Sequence, residues 1–371
     1  MRILFMSERG HGLCLADKLQ RDGHEVSVYI NDADVLLSGD GFLKKVSSWK
    51  PALAESALVV CDEPVFGKWA DSLRGNGRPV IGCDMVLEQA TTDYSKQCQL
   101  FERLCLFYPS TTFWFPDDRT VLPDFTEGIA RLSAGDADHI TLNMRNARDW
   151  QYLAGAVNAR STFSLQKVVK GAEVVVVGFW NGRAWFDPMF QAVDEKWLHS
   201  LHVDCMGAAV KALPTGSLLA QGTLHVLSPL LAKVSYRGPI SMRCIVEGTK
   251  VNVLGVKFGF SYDIAEAIVE ATPNDNFGDL LADCAIGVPR KLQVSKDAFA
   301  CARLCMAPWP FSPSGKSQRG MPIHGIDERS LKHILLNDVY KLSDGPVFAA
   351  GNGVPLKVTA HGRDTSEAIS R

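Results

Sequence analysis

Two short stretches near the N-terminus have residue types and positions suited to holding an anion. Ser7-Glu8-Arg9-Gly10-His11-Gly12 is a glycine-bearing turn between an apolar run at 2–6 and a helical pattern at 13–22. Backbone N–H groups at the start of a helix attract a negative group such as a phosphate. Arg9, Gly10 and His11 are therefore candidate substrate-binding residues, although a plain strand-to-helix turn would use the same residues. Cys61-Asp62-Glu63-Pro64 ends another apolar run, and Glu63 there either lines a site or turns the chain. Spacing excludes other chemistry. His139, His199, His202 and His225 form no His-x-His or His-Glu-x-x-His pattern, and the ten cysteines contain no Cys-x-x-Cys pair. Gly315-Lys316-Ser317 looks like the end of a P-loop, but the first glycine of that motif would fall on Pro310.

The elements that must carry these turns alternate in a βα rhythm over residues 1–84. Apolar segments lie at 2–6, 25–30, 57–61 and 78–82, and helical patterns at 13–22 and 65–74. Strands that alternate with short helices predict a parallel open sheet, whose ligands sit at the carboxyl ends of strands. Further on, the pattern predicts helices at 94–106, 276–286 and 365–370. Strands are expected after the turn at 109–113 and at 139–142, 298–306, 347–349 and 355–360. Residues 143–157 read as loop plus helix. The stretches 162–170 and 173–180 read as two antiparallel strands around Lys170-Gly171-Ala172. Asn181-Gly182 reads as a type I′ hairpin turn, because that dipeptide tolerates positive φ. Residues 241–246 and 250–256 read as a hairpin across Glu247-Gly248-Thr249. Pro116-Asp117-Asp118-Arg119, Pro123-Asp124 and 308–319 read as loops.

The length of 371 residues predicts two or three domains, and 46% hydrophobic with 22% charged residues is ordinary for a globular enzyme. The 39 basic and 41 acidic residues give a formal charge of −2, which argues against a dedicated nucleic-acid binder but leaves room for a local basic groove. No apolar run reaches the ~18–20 residues of a membrane span, and the N-terminal run is too short for a secretion signal. Scattered single cysteines in such a chain read as free buried thiols in a reducing cytoplasm.

Several pieces, in order, resemble the phosphoribosylamine–glycine ligase family of the ATP-grasp superfamily. Ser7 to Gly12 sits where that family has its Gly-Gly-Arg-Glu-His loop, and Cys61-Asp62-Glu63-Pro64 where it has Gly-Pro-Glu. Gly171-Ala172-Glu173 matches its Gly-x-Glu. Gln191-Ala192-Val193-Asp194-Glu195-Lys196 is similar to its Asp-His-Lys segment, and Asp204-Cys205-Met206-Gly207-Ala208 to its Gly-Gly-Met-Gly-Ala segment. Gly320-Met321-Pro322-Ile323-His324-Gly325 and Val358-Thr359-Ala360-His361-Gly362 follow its C-terminal domain. The resemblance covers about half the chain in pieces. It implies an α/β, ATP-grasp-like fold: an N-terminal parallel open sheet (1–98, substrate-binding), a central α+β ATP-grasp region (99–285) with a reduced lid at about 138–180, and a small C-terminal α/β domain (286–371). It implies substrate-binding roles for Arg9, Gly10, His11, Glu63, Met206 and Gly207, nucleotide-binding roles for Arg145 and Glu173, and a place for Asp194 and Lys196 beside the reacting groups. As a surface ion pair those last two would matter little.

The departures from the family are equally specific. ATP-grasp enzymes hold phosphates with lysines and a glycine-rich loop, and the matching stretch from Ile140 to Trp150 has neither, leaving Arg145 or Arg148 to supply charge. The family's metal-bearing Glu-Phe-Asn becomes Gly255-Val256-Lys257. Mg²⁺ demands oxygen ligands, so no residue is assigned to a metal, and only Asp263 and Glu266 remain as nearby carboxylates. ATP and Mg²⁺ are thus implied by the resemblance and opposed by the residues. Lys257 reads either as a surface lysine with a buried stem or as a catalytic ammonium in the vacated cation position. Three functions follow. One is a divergent ligase that joins an amino acid such as glycine to an amine on a phosphorylated sugar or nucleotide. Another is an ATP-independent transferase that attaches an amino acid to an activated nucleotide or DNA base. The last is a non-catalytic relic that binds a ligand or partner.

Overall fold

The computed structural model describes all residues except 36, 115–126, 135–137, 147, 150–161, 200, 201, 274, 275, 295, 296, 307–318, 343, 344 and 352. Its N-terminal part is a parallel sheet of five strands in the order Lys44–Lys45, Glu25–Ile30, Arg2–Ser7, Leu58–Cys61, Val80–Ile81. Strands covered on both faces must be apolar throughout, and Ile3 to Met6 and Leu58 to Cys61 are all buried. The chain runs outward from Arg2–Ser7 to one edge, then returns to pair Leu58–Cys61 on its other side. This reversal opens a crevice beyond the carboxyl ends of those two strands. The turns at 8–12 and 62–64 both lie there.

Among the described residues a second sheet holds twelve strands and is built from antiparallel pairs. Its path runs Lys250–Phe258, Gly238–Glu247, Ala172–Trp180, Met189–His199, His202–Leu213, then Asp138–Met144, Gly128–Ala134, Thr162–Lys167 and Thr111–Trp114. The C-terminal strands Ala298–Leu304 and Leu356–Gly362 extend it from His202–Leu213. The helix Ile264–Ala271 packs against these strands and is buried along almost its whole circumference, as its nearly continuous apolar sequence requires.

Two local expectations are corrected. Strands Thr162–Lys167 and Ala172–Trp180 do not pair with each other. The first pairs with Gly128–Ala134 and Thr111–Trp114, the second with Gly238–Glu247 and Met189–His199. Hydrophobic alternation identifies strands, but partners are chosen by long-range packing. Asn181-Gly182 is not a type I′ turn: Gly182 has φ +92° but Asn181 is not among the described positive-φ residues. Instead the Asn181 side chain accepts hydrogen bonds from the backbone N–H groups of Arg183 and Ala184 at 2.9 and 2.8 Å. That is an Asx turn in a longer loop. The hairpin of Gly238–Glu247 and Lys250–Phe258 forms as expected. The loops expected at 116–119 and 123–124, and most of 143–157 and 308–319, lie outside the described residues. No described helix is long and apolar enough to cross a membrane.

Candidate active site

The crevice of the parallel sheet faces the hairpin of the large sheet across a cavity of about 480 Å³. On the crevice side stand Arg9, His11 and Glu63, and on the hairpin side Lys257 and Tyr262. Glu63 turns inward and gathers the first turn around itself. Its Oε2 accepts the backbone N–H groups of Glu8 and Arg9 at 2.7 and 2.9 Å, and its Oε1 lies 2.9 Å from His11 Nδ1. Asp62 accepts from Ser7 Oγ (2.7 Å) and from the Gly12 N–H (3.1 Å). Only glycine fits at position 12, because a Cβ would stand 2.5 Å from Asp62 Oδ2. The amides of the turn are thus held by the protein's own carboxylates, and the Arg9 and His11 side chains line the cavity.

These two carboxylates are pushed apart. Burial, and then the charge of Glu63, raise Asp62 well above the ordinary carboxylate range. Burial would also raise Glu63, but the hydrogen bond and charge of His11 and the two amides hold it below its ordinary value. Glu63 therefore stays ionised at neutral pH. Lys257 is paired in register with Ser241, and its Nζ lies 5.0 Å from the centre of the Tyr262 ring. Burial lowers its pKa, against the opposing charges of Glu63 and Asp62. Among the described residues no carboxylate closes an ion pair with it.

A second cavity of about 510 Å³ adjoins the first, and Arg131 and Arg243 line both. Arg243, on Gly238–Glu247, donates to Glu173 at 2.7 Å and also contacts Asp194. Lys196 pairs with the other oxygen of Glu173. Arg131 lies 4.3 Å over the Tyr94 ring and donates to Gln166 at 3.2 Å, while its buried Nε meets no partner. Burial lowers its pKa. Arg131 and Lys257 are thus two cations turned into one cleft without carboxylate partners among the described residues.

Whether a divalent metal fits can be tested on the donor set. Asp263, Glu266 and Cys301 place ligand atoms within 4.8 Å of one another. Both carboxylates are already engaged. Arg303 Nε reaches Asp263 Oδ2 at 2.8 Å, and Lys357 Nζ lies 2.6 Å from Glu266 Oε1 and 3.4 Å from Asp263 Oδ1. Two cations balance two anions, and an ammonium stands where a metal would need only oxygen. Glu173 and Asp194 are committed to Arg243 and Lys196, and the hairpin strand brings Gly255, Val256 and Lys257 to the cavity. Neither the Asp263–Glu266–Cys301 group nor the Glu173–Asp194 pair therefore offers Mg²⁺ a free set of oxygens.

The structure brings Arg9, His11, Glu63 and Lys257 to the first cavity, with Gly10 in the turn behind it, and Glu173, Asp194 and Lys196 to the second. It does not bring Met206 and Gly207 to either. They line a separate hollow of about 90 Å³ beside the helix Thr365–Ser370, at a register shift opposite Glu195 and Lys196. Arg145 is exposed and lines neither cavity. Arg131, Arg243 and Tyr262 escaped the sequence reading. For the two arginines a signal existed: each is flanked by apolar residues within a strand, in Gly128–Ala134 and Gly238–Glu247. Nothing local distinguished Tyr262.

No family model and no curated protein matches the sequence. Solved structures do match its fold. Phosphoribosylamine–glycine ligase from Thermotoga maritima superposes with a TM-score of 0.75 at 14% identity, covering 100% of this chain and 95% of that one. L-amino acid ligase from Bacillus licheniformis gives 0.66 at 9% identity over 100% and 95%, and N5-carboxyaminoimidazole ribonucleotide synthetase from Thermotoga maritima 0.62 at 12% over 100% and 96%. The architecture is the ATP-grasp fold along the full chain. These solved structures, a ligase of one family and enzymes of others, share that fold, so the likeness singles out no one family.

Proposed function

We propose that this chain forms a carbon–nitrogen bond in the first cavity, joining an amino acid such as glycine to an amine on a phosphorylated sugar or nucleotide. The observation that carries this reading is the cleft itself: Arg131 and Lys257 converge from the large sheet on a cavity whose other wall is the switch-point crevice. Two cations without carboxylate partners among the described residues, in one cavity with a carboxylate–histidine pair, suit a reaction in which phosphate leaves and an amine attacks. Preorganised charge stabilises a leaving group without reorganisation during the step. The full-length likeness to carboxylate–amine ligases supports the same class. Calorimetry with ATP, with and without Mg²⁺, and phosphate release from glycine, ATP and O-phosphoethanolamine test it.

A second reading is favoured by Lys257. It stands where the resemblance places a metal ligand, while Glu63, Glu173 and Asp194 are each engaged by a histidine or a cation. In this reading one substrate arrives already phosphorylated or pyrophosphorylated, and an amino-acid amine displaces that group without nucleotide. Glycine with acetyl phosphate in EDTA is its simplest probe. Turnover there assigns the second reading, and ADP release that requires both glycine and amine assigns the first. Turnover in neither assay removes both.

A further inference from the structure

Both readings need an amine nucleophile, and an amine is an ammonium ion near neutral pH. Its lone pair is unavailable until a proton leaves, so the cleft must offer a base beside the leaving-group cations. Glu63 and His11 form a carboxylate–imidazole pair at 2.9 Å. Glu63 is ionised and its other oxygen is held by two backbone amides, so it cannot donate to the ring and cannot swing away. Nδ1 is therefore the donor of that bond, and Nε2 is the ring nitrogen left to exchange a proton with a substrate. Carboxylates orient imidazoles and select their tautomer in this way at many sites. The ring packs edge-on to Tyr262 at 5.9 Å, and its side chain is half exposed to the cavity. The other charged groups around it are Glu8 and Arg9 on its own turn, Asp62 at the adjoining strand end, and Lys257 from the hairpin.

We propose that His11, oriented by Glu63, is the general base that deprotonates the attacking amine. The proposal rests on the carbon–nitrogen bond-forming reading above. As the amine nitrogen bonds to the activated carbon, the bond from that carbon to the phosphate oxygen breaks. The electron pair leaves on the phosphate beside Lys257 and Arg131, and the departing phosphate takes up the remaining N–H proton; His11 Nε2 has by then taken the proton that made the nucleophile an ammonium ion. Glu63 touches no substrate in this scheme and is a positioning residue.

The test compares two nucleophiles in whichever assay above turns over: the amine, charged near neutral pH, and hydroxylamine, which is already neutral there. His11→Ala is expected to lose about 10²–10⁴-fold in rate with the amine, the usual span for a positioned base, and to stay within a few-fold of the parent with hydroxylamine. Its deficit with the amine should shrink as the pH rises and the amine loses its proton in solution. Equal loss with both nucleophiles, or no loss with either, overturns the base while leaving the reaction class standing. No turnover by the unaltered protein overturns both. Glu63→Gln supplies an independent measurement. Its amide N–H₂ would face Nδ1 and force the proton onto Nε2, and ¹⁵N shifts of His11 should report that tautomer change with a parallel rate loss. An unchanged tautomer removes the positioning role.

Discussion

Lys257 and Lys357 stand over the ring of the same tyrosine, with ammonium nitrogens 5.0 and 5.1 Å from the centre of Tyr262. Their surroundings are opposite. Lys357 is 3% exposed and closed in by Glu266 and Asp263, with Arg303 on the far side of Asp263. Burial alone would lower its pKa, but Glu266 and the other neighbouring groups hold it well above the ordinary lysine value. Lys257 opens on a cavity, has no ion pair among the described residues, and is lowered by burial. A buried charge with its partners in place belongs to the architecture, because removing one partner strands the other. A desolvated charge without a partner is a standing cost to the fold, so it persists at sites where a ligand completes it. The difference separates the core cluster from the candidate active site, although a single ring joins them.

The largest effect should come from the closed cluster. Lys357→Met leaves Glu266 without its ion pair and Asp263 with Arg303 alone. It should cost about 3–5 kcal/mol of unfolding free energy, as other broken buried pairs do, measured by urea denaturation. Lys257→Met should not lower stability, yet turnover should fall by roughly 10²–10³-fold, the usual loss when one preorganised transition-state contact is removed. Similar stability losses in the two variants would break the comparison. It also has a pH signature. A lysine whose folded pKa is depressed binds fewer protons folded than unfolded below 10.5, so the parent's stability should gain on Lys257→Met as pH rises toward that value. Arg131→Gln should weaken binding of an anionic ligand by about 1.5–3 kcal/mol, the range for a hydrogen bond to a charged group, with kcat changed less. The narrowest pH signature concerns Asp263. Burial would raise it, but Lys357 and Arg303 hold its folded pKa below 3.8. Its contribution should be complete above pH 3.8 and disappear as the pH falls through the lower folded value. In acid titrations followed by circular dichroism, Asp263→Asn should flatten that last limb.

Much of the fold was legible because local periodicity and strand-end chemistry report burial directly. The βα rhythm of residues 1–84, the stops at Gly23 and Gly75 to Gly77, and the hairpin around Glu247 to Thr249 are features of neighbouring residues. The partners of Thr162–Lys167 and Ala172–Trp180 were not legible, since pairing is decided by residues far away in the chain. The candidate site divides in the same way. Arg9, His11 and Glu63 could be singled out because they end strands in a parallel sheet, where ligands collect. Arg131 and Arg243 could be noticed only as odd charges in apolar strands.

The sequence by itself determined the α/β class of fold, the two turns at the crevice and the hairpin across Glu247 to Thr249. All follow from residue type and short-range spacing. Tertiary structure alone decided which charges are spent and which are open. Arg243 is enclosed by Glu173 and Asp194, Lys357 by Glu266 and Asp263, while Arg131 and Lys257 are left facing a cavity. The physical reason is that a charge acquires its meaning from groups within a few ångströms, and here those groups come from elements far away along the chain, as far as Asp263 is from Lys357.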